Sequence, residues 1–128
     1  MAKRALKLHF RLPPYVHPRI EWRKLIHEAA TAAMRKRDVS YTPDDQLAVN
    51  IVVYFEVARL RWHDVDNRLK DVLDALQGRL GGPKSVRAYA ALIPNDNQIH
   101  QVSVTKAVAP PQSHGLGHVT VARYRPPA

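Results

Sequence analysis

Two aspartates one residue apart, Asp64 and Asp66, stand beside Asn67 and just ahead of Lys70 in the run Arg61-Trp62-His63-Asp64-Val65-Asp66-Asn67-Arg68-Leu69-Lys70-Asp71-Val72-Leu73-Asp74-Ala75-Leu76. A third carboxylate, Asp96, follows in the turn Pro94-Asn95-Asp96-Asn97. Carboxylates gathered near a phosphate repel one another and the phosphate. A hard divalent cation removes that conflict, because it takes oxygen ligands from carboxylate, water and phosphate alike. Mg²⁺ held by Asp64, Asp66 and Asp96, with Mn²⁺ as a substitute, can activate water and stabilise charge on a phosphodiester in transit. Lys70 is one turn from Asp66, within reach of a phosphate oxygen or of the attacking water, and Asn67 can hydrogen-bond a carboxylate or the loop backbone. A path through a helix and a strand can return Asp96 to the other two.

A plainer chemistry competes. An aspartate ahead of a helix is a common N-cap, and acidic residues in the first turn suit the helix dipole. Asp66 with Asn67 fits that role, and Lys70 with Asp74 fits a solvated surface pair. On spacing alone the capping account and the metal account both stand.

The surrounding chain sets the partner class. Its 128 residues suit one domain, spanning 1–128, with one core. A formal net charge of +9 makes a polyanion the expected partner, with nucleic acid ahead of an acidic membrane surface. No stretch is apolar enough to cross a bilayer. Met1-Ala2-Lys3-Arg4 leads into alternating residues rather than an apolar block, so no signal peptide is expected. The absence of cysteine excludes disulfides, thiolate catalysis and cysteine-bound zinc, and a cytoplasmic location is expected. The histidines show no zinc spacing, Gly81-Gly82-Pro83-Lys84-Ser85 lacks the full phosphate-loop pattern, and no Gly-x-Ser-x-Gly segment is present.

The elements that must position these residues follow from periodicity. Leu6, Leu8, Phe10 and Leu12 alternate with Lys7, His9 and Arg11, which predicts a strand. Trp22, Leu25, Ile26, Ala29, Ala30 and Ala33 form the apolar stripe of a helix that starts at Pro18 and ends near Arg37. Leu47, Val49, Ile51, Val53, Phe55 and Val57 predict a central strand that leads into the acidic run. Leu69, Val72, Leu73, Leu76 and Leu80 mark a second helix, closed by Gly78, Gly81, Gly82 and Pro83. Further strands are expected over Ser85 to Leu92, Ile99 to Val108 and His118 to Tyr124. The expected fold is α+β: one small domain with a mainly antiparallel or mixed β-sheet and two principal helices packed on it.

The joint pattern of Asp64-Val65-Asp66-Asn67, Lys70, Asp74-Ala75-Leu76 and Ile93-Pro94-Asn95-Asp96-Asn97-Gln98-Ile99 resembles the RusA family of Holliday-junction resolvases. The order of elements is similar as well. Asn95 stands where many members have an aspartate, and Gly78 to Ile93 is longer than usual. The resemblance implies a Mg²⁺-dependent, structure-selective endonuclease that cuts four-way DNA junctions by paired phosphodiester hydrolysis. It assigns metal binding and catalysis to Asp64, Asp66 and Asp96, an essential role to Lys70, and supporting roles to Asn67 and Asp74. Two symmetric cuts call for a homodimer. Arg59, Arg61, Arg68, Lys84 and Arg87 are the candidate phosphate contacts. Trp62 is expected in the core, with Trp62 or Tyr89 as the alternative wedge at the crossover. His63 is placed to orient a carboxylate or touch DNA. Two other functions fit the same residues: a non-catalytic basic DNA-binding module, and a less selective metal-dependent nuclease.

Overall fold

The computed structural model describes residues 4–81 and 89–128. The chain forms β1 (Leu8–Leu12), α1 (Arg19–Arg37), β2 (Leu47–Phe55), a 3-10 helix (Val57–Trp62), α2 (Val65–Leu76), a short 3-10 helix (Asp96–Gln98), β3 (Ile99–Val108) and β4 (Gly117–Arg123). The four strands make one mixed sheet in the order β1-β4-β2-β3. β4 runs antiparallel to both β1 and β2, while β3 runs parallel to β2. A parallel neighbour requires a crossover, and α2 supplies it.

Alternation along β1 buries Leu8, Phe10 and Leu12 and exposes His9 and Arg11. β2 does the same with Leu47, Val49, Ile51, Val53 and Phe55. Trp22, Ile26 and Ala30, spaced by four, bring α1 onto this apolar face, and Val72, Ala75 and Leu76 bring α2. Each large aliphatic side chain buried here contributes about 1.5–3 kcal/mol. Trp22 keeps its ring in the core because its Nε1 donates to the Pro13 carbonyl at 2.9 Å.

Gly78 ends the second helical segment with φ +76°, and a Cβ there would stand 2.1 Å from the Tyr89 carbonyl oxygen, so only glycine fits. The Leu92 and Ile93 amides then donate to the Leu76 carbonyl at 2.8 and 3.1 Å, which ties the returning chain to the C-terminal end of α2.

The α+β sheet with two helices on it is the architecture expected from periodicity. Some details differ. Leu25, expected in the α1 stripe, is exposed, and His27 is buried in its place with its Nε2 2.8 Å from the Ala90 carbonyl. Trp62, expected in the core, is 68% exposed. The strand expected over Ser85 to Leu92 lies partly outside the described residues, and residues 89–92 carry no strand.

Candidate functional site

Asp64 and Asp66 sit where β2 hands over to α2. Asp64 is the N-cap residue of α2, yet its side chain makes no capping hydrogen bond. Asp66 lies in the first turn. Both are exposed, as are Asn67 and Lys70. Neither carboxylate forms an ion pair among the described residues, although Arg59, Arg61 and Lys70 lie close in sequence. The capping account therefore does not consume these carboxylates. They occupy the positive end of the helix dipole, where negative charge is favoured. The Lys70–Asp74 surface pair of the capping account is not formed among the described residues. Asp74 is half-buried, and its Oδ2 lies 3.5 Å from Arg23 Nη2.

The handover is held by aromatic stacking and one lysine. His63 stacks on Phe55 with ring centroids 4.0 Å apart and planes 11° off parallel, and Tyr15 meets its edge at 4.8 Å. Lys106 of β3 donates from Nζ to the Leu60 and His63 carbonyls at 2.9 and 2.8 Å. Burial of its ring, then the charges of Arg68, Lys106 and Arg59, hold the His63 pKa below the usual imidazole value. His63 is thus committed to the fold, rather than to a carboxylate. A cleft of about 400 Å³ opens beside it, walled by Tyr15, Tyr54, Phe55, His63, Arg59 and His114.

Arg68 is a correction to the expected phosphate contacts. It is 6% exposed and lies with its guanidinium 4.2 Å from the Tyr15 ring centre. Its Nη1 meets His63 Nδ1 at 3.1 Å, and its Nη2 lies 3.2 Å from Asp71 Oδ2 without hydrogen-bond alignment. Asp71 is fully buried and also receives Arg19 Nε at 2.8 Å and Arg23 Nε at 3.0 Å, both on Oδ1. This cluster locks α1 to α2 and fixes the direction in which α2 presents Asp64 and Asp66. Arg68 and Asp71 share the inward stripe with Val72, Ala75 and Leu76, and that spacing was the available signal. Arg59 and Arg61 are exposed beside the acidic pair, whereas Lys84 and Arg87 lie outside the described residues.

Asp96 is the second correction. It opens the short 3-10 helix before β3, capped by Asn95. Gln98 anchors that turn by donating from Nε2 to the Thr42 and Asp45 carbonyls, both at 2.8 Å. This is the end of the sheet where β2 and β3 begin, since Leu47 pairs with Ile99. Asp64 and Asp66 lie at the other end, where Lys106 reaches His63. The two ends are roughly 20 Å apart along β3. Within one chain Asp96 does not join Asp64 and Asp66, because the β2-α2-β3 crossover starts both parallel strands at the same edge. Among the described residues no three His, Cys, Asp or Glu side chains are grouped to hold a metal ion. Among the described residues, a single chain thus offers a hard cation the carboxylates of Asp64 and Asp66, two positions apart in sequence, and groups no third acidic side chain with them.

One charged surface is not evident from the linear pattern. None of the four strands contains Asp or Glu. On the sheet face opposite the helices, His9 Nε2 lies 3.2 Å from His118 Nδ1, and Tyr54 packs edge-on to His118 at 6.0 Å. Arg11 adds a fixed positive charge there, held by the Gly117 and Leu116 carbonyls at 3.0 and 2.6 Å. The available signal was the basic alternate face of β1. No family model matches the chain, and no curated protein matches it. No helix among the described residues is long and apolar enough to cross a membrane.

Proposed function

We propose that the protein is a Mg²⁺-dependent endonuclease that cuts branched DNA at four-way junctions, acting as a homodimer. The observation that carries this reading is the pair Asp64 and Asp66, exposed and unpartnered at the start of α2 in a chain of net charge +9. The resemblance of the Asp64–Asn67 and Asn95–Ile99 segments to RusA-type resolvases supplies the reaction class.

Asp64 and Asp66 would hold the cation, which would supply Lewis acidity toward a phosphoryl oxygen. Lys70, exposed one turn along α2, presents an ammonium to the phosphate and to the incoming water. Arg59 and Arg61 neutralise flanking phosphates, and the acid-free sheet face gives a duplex arm further surface to lie against.

One observation favours a second reading, a non-catalytic DNA-binding module: Asp96 lies at the far edge of the sheet from the pair. A labelled synthetic four-way junction and a matched linear duplex, each with Mg²⁺ or chelator, separate the two. Symmetric Mg²⁺-dependent cuts confined to the junction are expected. Junction binding without cleavage overturns the nuclease reading in favour of the binding module. Equal cleavage of both substrates overturns junction selectivity.

A further inference from the structure

The cleft of about 400 Å³ beside His63 has the size of a small-molecule site, and its walls hold groups that the acidic pair does not use. Part of the wall is fixed by packing: His63 stacks on Phe55, and Tyr15 packs against both. Arg68 can only donate, so its contact with His63 Nδ1 makes that nitrogen the acceptor and leaves the ring proton on Nε2. That Nε2–H has no acceptor among the described residues. Glu56 lines the same cleft and is exposed. It stands at the N-cap of the 3-10 helix, but its side chain makes no capping bond, and it forms no ion pair among the described residues. A fixed donor and a free acceptor thus line one aromatic cleft.

His114 adds a ring from the loop between β3 and β4. It is exposed, with no hydrogen bond or ring contact among the described residues. Its φ of 55° is a left-handed conformation, which is strained for a residue with a Cβ. The loop is held from both ends. The Ala109 amide donates to the Phe55 carbonyl at 3.0 Å, and Arg11 holds the Leu116 and Gly117 carbonyls. An aromatic ring without a partner of its own is thereby kept at the wall of the cleft.

We infer that this cleft takes one unstacked nucleobase from the branch point of the DNA, with Tyr54 and His114 as the rings it stacks on. A base offers every aromatic wall a π-face. Its edge carries both acceptors and donors, which answer the His63 Nε2–H and the Glu56 carboxylate. Arg59, on the same wall, meets the phosphate that comes with it. An aliphatic ligand would leave the donor and the carboxylate unanswered. A nucleotide at a branch point has lost a stacking neighbour, so it leaves the helix more easily than one inside a duplex. The cleft therefore favours branched over linear DNA without reading a sequence. His63 directly precedes Asp64, so a captured nucleotide lies beside the acidic pair. The inference rests on the DNA-binding part of the proposed function and is independent of cleavage.

Fluorescence anisotropy with chelator present tests it on three DNAs: an intact four-way junction, a matched linear duplex, and a junction with abasic tetrahydrofuran units at the nucleotides flanking the branch in every strand. The proteins are the wild type and His114→Gly, since glycine accepts the left-handed backbone and removes the ring. The wild type is expected to bind the abasic junction about tenfold more weakly than the intact one. His114→Gly should lose the same factor on the intact junction, lose less than about twofold more on the abasic one, and bind the duplex as the wild type does. If that variant does not fold, Tyr54→Leu takes its place. Equal wild-type affinity for intact and abasic junctions overturns the inference, and so does an abasic loss as large in the variant as in the wild type. A wild-type protein that binds neither junction nor duplex overturns the proposed function as well.

Discussion

Lys106 donates from Nζ to the His63 carbonyl at 2.8 Å, which pins the start of α2 to the far end of β3. The same ammonium holds the Leu60 carbonyl. Lys106→Met keeps the stem and removes both bonds. A hydrogen bond to a charged group contributes about 1.5–3 kcal/mol, and the lost pair is expected to lower stability by about that amount in total. Urea denaturation measures it, and an unchanged midpoint would show that the 3-10 helix is held by His63 stacking alone.

Asp71 is expected to be the most sensitive polar position. Its carboxylate is buried between Arg19, Arg23 and Arg68, and removing it leaves the buried Arg68 guanidinium without a carboxylate and takes one from Arg19 and Arg23. Breaking a buried ion pair from one side costs about 3–5 kcal/mol. Asp71→Ala is expected to lie in that range by denaturant midpoint, whereas Asp66→Asn at the exposed site is expected to shift it by less than about 0.5 kcal/mol.

Stability is expected to fall as pH drops below neutrality. Burial, then neighbouring cations, hold His63 and His118 below their ordinary value of 6.5. The unfolded chain therefore binds protons first, and the folded state loses stability as pH falls from 6.5 toward the folded values. Above 6.5 both rings are neutral in either state and the contribution is complete. At lower pH Asp45, whose carboxyl is held below 3.8 chiefly by Arg4, loses its contribution as it protonates. Melting temperatures from pH 8 to 5 check the first window. His63→Phe is expected to remove part of the slope and leave the part due to His118.

Arg59 and Arg61 are expected to act on phosphate alone. Each alanine variant should weaken junction and duplex binding alike, and should reduce the slope of log affinity against log salt by about 0.9. Fluorescence anisotropy over a salt series reads this directly. Asp66→Asn should abolish cleavage while retaining or tightening junction binding, since less negative charge then faces the phosphates.

Where periodicity decides, the fold was legible. The strand expected over Ile99 to Val108 is β3 to the residue, and Asp64 stands at the helix start that its type suggests. What local pattern does not carry is strand order. α2 makes β2 and β3 parallel, and that relation alone sends Asp96 to the opposite edge from Asp64. Arg68 and Asp71 were readable as polar members of an inward stripe, but composition rules place charged residues outside and so pointed the wrong way. Trp62 was expected inside on the same average rule. Its exposure is explained by His63, which takes the place against Phe55 that a neighbouring aromatic would fill.

Cleavage of a labelled four-way junction by the wild-type protein and by Asp66→Asn, each with Mg²⁺ or chelator, tests the acidic pair most directly. The wild-type protein is expected to cut only with Mg²⁺, and the variant to bind the junction without cutting it. A wild-type protein that binds without cutting, or an Asp66→Asn protein that cuts as the wild type does, would contradict the account.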